Sequence, residues 1–123
     1  MFYTGIEVPN WAVFLDPTVT TWISELDDLR YDRVAAAIDM LTTLGPSLGR
    51  PLVDTISMSS FANMKELRVG TCRILFAFDP KRQAILLYAG DKKGAWHDWY
   101  RQAIPIADHR FTRWLAQESG GGP

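Results

Sequence analysis

Cationic side chains gather in one stretch of this sequence, KELRVGTCRILFAFDPKRQAILLYAGDKK (residues 65–93), at positions suited to gripping a phosphate. Arg68 and Arg73 carry forked guanidinium donors that match phosphate oxygens, and Lys92 and Lys93 add mobile charge. If residues 71–90 form an antiparallel hairpin turning at Pro80-Lys81, Arg73 falls almost opposite Ala89, close to Lys92. Arg73, Lys92 and Lys93 then converge on one rim of a sheet. Lys65 and Arg68 extend the patch when their strand pairs with the next. Just beyond, Trp96, Trp99 and Tyr100 offer rings on which bases can stack. The same residues also fit a plainer arrangement, with Arg73 paired to Asp98 or Glu66 at the surface and the aromatic trio anchoring a helix on the sheet.

The distribution of charge points the same way. Over the whole chain the formal net charge is −1, yet residues 1–64 hold three Lys/Arg against eight Asp/Glu, whereas residues 65–113 hold ten against five. A basic second half suits a polyanionic partner. Other chemistries lack their residues. His97 and His109 are twelve positions apart with only Asp98 and Asp108 beside them, so no metal site is expected. No nucleophile elbow, phosphate-binding glycine loop or dinucleotide fingerprint is present. The one cysteine, Cys72, reads as a small buried hydrophobe. No apolar run reaches the roughly 20 residues of a membrane span, and the start of the chain lacks a secretory pattern, so the expected location is the cytoplasm.

The elements that must position these groups follow from local pattern. WAVFL, Trp11 to Leu15, reads as a strand ending at Asp16, which caps a helix that Pro17 opens. Val19, Trp22, Ile23, Leu26 and Leu29 form an apolar stripe that pauses around Leu29 to Asp32. It resumes with Val34, Ala37, Ile38, Leu41 and Leu44 and stops at Gly45-Pro46, as two helices or one bent one. GPSLGRP is a loop and Leu52 to Ile56 a weak strand. Lys65–Val69, Thr71–Asp79 and Gln83–Gly90 are three β segments. In the middle one, Cys72, Ile74, Phe76 and Phe78 share one face, and Arg73, Leu75 and Ala77 share the other. A helix carrying Trp96, Trp99, Tyr100 and Ala103 is expected to break at Pro105, with a last helix over roughly Ile106 to Ala116. The reading is one α+β domain, residues 1–118, with a disordered tail at 119–123.

The ordered set of KELR, the strand with Arg73, FDPKR, ILLYAGDKK and the tyrosine-bearing helix, preceded by a helical hairpin and LGPSLGRP, resembles the RelE/HigB superfamily of type II toxins. It is most similar to the phage-derived, HigB-like branch, over about residues 30–117. The resemblance implies a RelE-like α+β fold: two N-terminal helices on a small, twisted, mostly antiparallel sheet, with C-terminal helices. It implies an endoribonuclease that cuts messenger RNA, generally on the ribosome, without a metal or other cofactor. A cognate helix-turn-helix antitoxin would hold it inactive in a hetero-oligomeric complex. Position by position, Arg73 matches the arginine that binds the scissile phosphate. Lys92 and Lys93 match a basic pair, Tyr100 a helix tyrosine, and Lys65 and Arg68 basic strand positions. Glu66 stands where some members carry a second catalytic lysine.

In this chemistry the 2′-OH attacks the adjacent phosphate, leaving a 2′,3′-cyclic phosphate and a 5′-OH. Arg73 with Lys93 would face the phosphorane. Tyr100, whose ordinary pKa is about 10, would act as base only if cations lowered it, and otherwise as donor or stacking platform. His97, one turn before Arg101, is the candidate acid, and Lys65, Arg68, Lys92, His97 and Arg101 make up the RNA-binding set. The rival reading is a degenerate, non-catalytic module that grips RNA or an acidic antitoxin, favoured by Glu66 and the low net charge. On the toxin reading, Arg73→Ala is expected to leave folding intact and abolish growth arrest.

Overall fold

The structure, a computed structural model, describes residues 10–94 and 96–119. Strand β1 (Ala12–Leu15) leads into helix α1 (Pro17–Ser24), helix α2 (Asp28–Leu44) and a short 3-10 turn at Gly45–Ser47. Then follow strands β2 (Val53–Thr55), β3 (Lys65–Val69), β4 (Cys72–Phe78) and β5 (Gln83–Asp91), and helix α3 (Trp96–Ser119). The sheet order is β1-β5-β4-β3-β2, with only the β1–β5 pair parallel.

The helical hairpin is two helices, and the break falls at Glu25 to Asp27, earlier than the pause around Leu29 to Asp32. Asp27 decides the position, because its Oδ1 accepts the Arg30 N–H at 2.9 Å and so caps α2. One consequence is that Leu29, grouped with the apolar stripe by spacing, lies 60% exposed. Asp16 caps α1 as expected, accepting the Thr18 N–H at 3.0 Å.

The alternation in β4 sorts the core into two halves. Leu67, Ile74, Phe76, Ala84 and Leu86 pack under Val34, Ala37 and Leu41 of α2. On the opposite face, Leu75, Ala77, Ile85 and Leu87 pack against Ala103, Ile104, Ala107 and Phe111 of α3. Cys72 is buried, as read.

The expected break at Pro105 does not occur: α3 runs through it. Pro105 is exposed, so the lost N–H bond and the ring clash, about 3 kcal/mol in a helix interior, fall on the solvent side. Ala103, Ile104, Ala107 and Phe111 lie buried on both sides of it. Sheathing Ile and Phe side chains at about 1.5–3 kcal/mol each outweighs that cost. Ser119, placed in the disordered tail, ends α3, and residues 120–123 of that tail lie outside the described residues.

At the far end of α2, Gly45 adopts φ +54°, and a Cβ there would collide with the Trp11 ring at Nε1. Gly45→Ala is therefore expected to lower stability by about 1–3 kcal/mol through strain and overpacking. A urea titration monitored by tryptophan fluorescence would read this as an earlier midpoint.

Candidate nucleic-acid interface

The register of β4 against β5 carries one irregularity, and it shapes the site. Between Leu75↔Tyr88 and Phe76↔Leu86 an extra residue, Leu87, is accommodated as a bulge. The slip places Gly90, rather than the expected Ala89, opposite Arg73. Gly90 leaves room for α3: a Cβ there would meet Nε1 of Trp99 at 2.5 Å. Trp99 lies across the strand with its ring 5.8 Å from that of Tyr88 and 5.1 Å from that of Tyr100. The aromatic pair Trp99–Tyr100 thus anchors the start of α3 on the sheet, the plainer of the two roles weighed for it. For Trp96 the side chain lies outside what the structure describes.

Anchoring α3 in this way brings the Tyr100 hydroxyl onto Glu66 of β3, to whose Oε1 it donates a hydrogen bond. Glu66 is 3% exposed. Its Oε2 accepts the Arg68 Nε–H at 2.9 Å, and its Oε1 lies 3.5 Å from Arg73 Nε. Arg73 pairs with Glu66, as the plainer reading allowed, but in the interior rather than at the surface. Its Nη1 donates to the carbonyl oxygens of Gly70 at 2.7 Å and Cys72 at 2.9 Å. Instead of framing a phosphate with Lys92 and Lys93, as expected, Arg73 faces the Glu66 carboxylate. Burying the Glu66 charge is tolerable only because two guanidinium groups and a hydroxyl surround it.

The cations divide accordingly. Lys92 belongs to the cluster: burial, then the neighbouring Arg73 charge, holds its ammonium below the usual lysine pKa, with Glu66 opposing. Lys93 is exposed at the strand end, where its N–H donates to Asp91 Oδ1 at 3.1 Å. Lys65 shares a sheet face with Leu67 rather than Glu66 and donates to Thr55 Oγ1 at 3.3 Å, so it does not extend the patch. Arg68 bridges Glu66 and Asp54, reaching Asp54 Oδ2 at 3.2 Å, and Glu66 lifts its pKa above the ordinary value.

Beside the cluster opens a cleft of about 920 Å³ between β3, the segment after β2 and α3. Glu66, Arg68, Tyr100, His97 and Arg101 all border it. Four of the residues singled out from sequence therefore meet in one place, together with a glutamate read there as a departure. The available signal for Glu66 was its period-two spacing with Arg68, which puts both on the face of β4 that carries Arg73.

Tyr100 does not have a base's pKa. Burial first, and then the Glu66 carboxylate that its proton bonds, push it up to about 12. Since the unfolded chain releases this proton near its ordinary pKa of about 10 while the folded chain holds it to a higher pH, the contribution to stability is full below pH 10. It is lost as pH rises from 10 to about 12. Tyr100→Phe should therefore show a flatter dependence of melting temperature on pH across that interval than the wild type; parallel curves would sink the assignment.

The arrangement of α1 and α2 on one face of the sheet and α3 on the other is that of a RelE-like fold. The fold matches archaeal RelE in the RelE-RelB complex of Pyrococcus horikoshii OT3, with a TM-score of 0.57 at 18% identity over 69% of this chain and 98% of that one. It also matches the RelB-RelE antitoxin-toxin complex of Methanococcus jannaschii, with a TM-score of 0.56 at 14% identity over 71% of this chain and 98% of that one. In sequence, the family described as "Phage derived protein Gp49-like (DUF891)" matches residues 21–112, and the chain belongs to it, among the HigB/RelE-like toxins of toxin-antitoxin systems. It is 57% identical over 113 residues to "Putative toxin HigB3" of Mycobacterium tuberculosis (strain ATCC 25618 / H37Rv), covering 90% of this chain and 99% of that protein. It is 51% identical over 104 residues to "Putative toxin HigB2" of the same strain, covering 80% of this chain and 52% of HigB2, about half its length. Among the described residues, no helix is long and apolar enough to cross a membrane.

Proposed function

We propose that this chain is an endoribonuclease toxin that cuts messenger RNA at the Glu66 end of the cleft. The observation that carries the reading is a carboxylate 3% exposed, surrounded by Arg68, Arg73 and Tyr100, at the edge of an open cleft. Glu66 accepts the proton of the RNA 2′-OH as that oxygen forms its bond to phosphorus. Arg68 and Lys92 face the charge that builds on the phosphorane. The bond to the 5′ oxygen breaks, and His97, bordering the cleft, supplies the proton that oxygen needs. A 2′,3′-cyclic phosphate and a 5′-OH remain. Arg73 orients Glu66 and adds its charge to the field, and Tyr100 donates a hydrogen bond rather than taking a proton.

The neighbouring structures contain RelE with RelB, which supports a cognate antitoxin, here of helix-turn-helix type, as the partner that silences the toxin. Because the site is poor in strong bases, it works best on RNA that the ribosome holds in place, so ribosome-bound message in the cytoplasm is the substrate. Purified protein added to a translating extract should produce new 5′-OH ends mapping within coding sequence. RNA retained on the protein with no new ends would instead favour the binding module, in which Glu66 is only the hub of an ion-pair network.

A further inference from the structure

The two ends of the cleft differ in chemistry. Its basic side chains, Arg68, His97 and Arg101, come from β3 and the first six residues of α3. From Tyr100 to Asp108 the helix runs on for eight residues, about 12 Å, and along that length the lining changes to Ile104, Pro105, Ser57, Met58 and Ser60. Here the wall opposite α3 is the segment after β2, and it is tied to the helix. Asp108 accepts from the Ser59 hydroxyl and, at 2.8 Å, from the Ser60 N–H. Ser59 Oγ in turn accepts the Phe61 N–H at 2.9 Å. Held by these bonds, the segment presents Met58 with 81% of its surface exposed. A long thioether side chain left in water on a braced turn at the mouth of a cleft is poorly used by the fold, which packs Met64 fully instead.

We infer that the Met58 end of this cleft is a nucleobase subsite, in which the Met58 side chain covers one face of a base while the Ser57 and Ser60 hydroxyls and backbone groups are offered to its edge. The inference rests on RNA being the ligand of the cleft, as proposed above. A phosphodiester gains from the cations at the Glu66 end and nothing from an apolar, hydroxyl-bearing wall, whereas a base has a π-face to sheathe and polar edges to satisfy. Asp108 is a positioning residue, acting through the segment it holds.

The test uses fluorescein-labelled single-stranded RNA hexamers with 2′-O-methyl groups, which bind without being cut, and a matched series in which each position in turn lacks its base. Anisotropy titration of the full chain should find one position whose missing base weakens binding about tenfold, the order expected when one side chain's contact surface is lost. Met58→Ala, an exposed substitution that leaves the core untouched, should weaken the intact hexamer by the same factor and remove the further loss at that position. Met58→Leu, which keeps the apolar surface, should stay close to wild type. If Met58→Ala binds the intact hexamer as the wild type does, or still loses affinity at that position, the subsite is wrong. The outcomes separate from those of the cleavage reading: a protein with this base dependence that cuts nothing overturns cleavage alone. One that cuts message normally with Met58 replaced overturns the subsite alone.

Discussion

Glu66→Gln should reduce RNA cleavage by about 10²- to 10⁴-fold, the range associated with loss of a general base. Glutamine keeps the volume, and its carbonyl can still accept from Tyr100, so the cleft retains its shape. What goes is the charge that takes the proton and balances Arg68 and Arg73. The measurement is the rate of appearance of 5′-OH ends in a translating extract, set beside a denaturation curve for the same variant. Retained cleavage with a normal curve would remove Glu66 from the chemistry and return it to structure alone. A variant that folds with an earlier denaturation midpoint, because Arg68 and Arg73 lose their counter-charge, and that binds RNA but fails to cut it is the expected result. Tyr100→Phe provides the contrast, since a donor that never gives up its proton should cost far less than the base.

Arg73→Ala carries the other large effect, and its first readout is stability. Read from sequence, Arg73 is a surface cation that can be removed without harm. In the fold its side chain is 11% exposed and that of its partner Glu66 is 4% exposed, and its Nη1 donates to two backbone carbonyls. Removing one member of a buried pair costs about 3–5 kcal/mol. Arg73→Ala is thus expected to unfold at much lower urea concentration, and growth arrest on expression should disappear with the folded protein. Arg73→Lys separates the two roles. It restores a charge near Glu66, but one ammonium cannot face Glu66 and both carbonyls at once as Nε and Nη1 do, so partial recovery of stability with activity still reduced is expected. An Arg73→Ala protein as stable as the wild type would contradict the interior placement of this side chain.

Much of the fold was written locally. The two-residue alternation of β4 assigned Arg73, Leu75 and Ala77 to one face and Cys72, Ile74, Phe76 and Phe78 to the other, because successive strand side chains must point opposite ways. Asp16-Pro17 and Gly45-Pro46 marked the start and end of the helical region through capping chemistry that depends on a few neighbouring residues. The resemblance then assigned the fold and toxin class that the comparisons bear out.

The site was less legible because it depends on distances through space. Nothing in residues 83–91 by themselves announces a bulge at Leu87, yet that one residue moved Gly90 opposite Arg73 and let Trp99 settle over it. Pro105 carries a local signal to stop a helix, and burial of residues on either side overrode it. Only packing decided that Lys92 joins the cluster while Lys93 stays outside, that Tyr100 holds its proton, and that Glu66 occupies the centre of the cations. The sequence by itself determined which groups carry charge and which face of each strand they share. The tertiary structure decided which of them meet, since whether a cation pairs with a buried carboxylate or with solvent depends on neighbours brought from other parts of the chain.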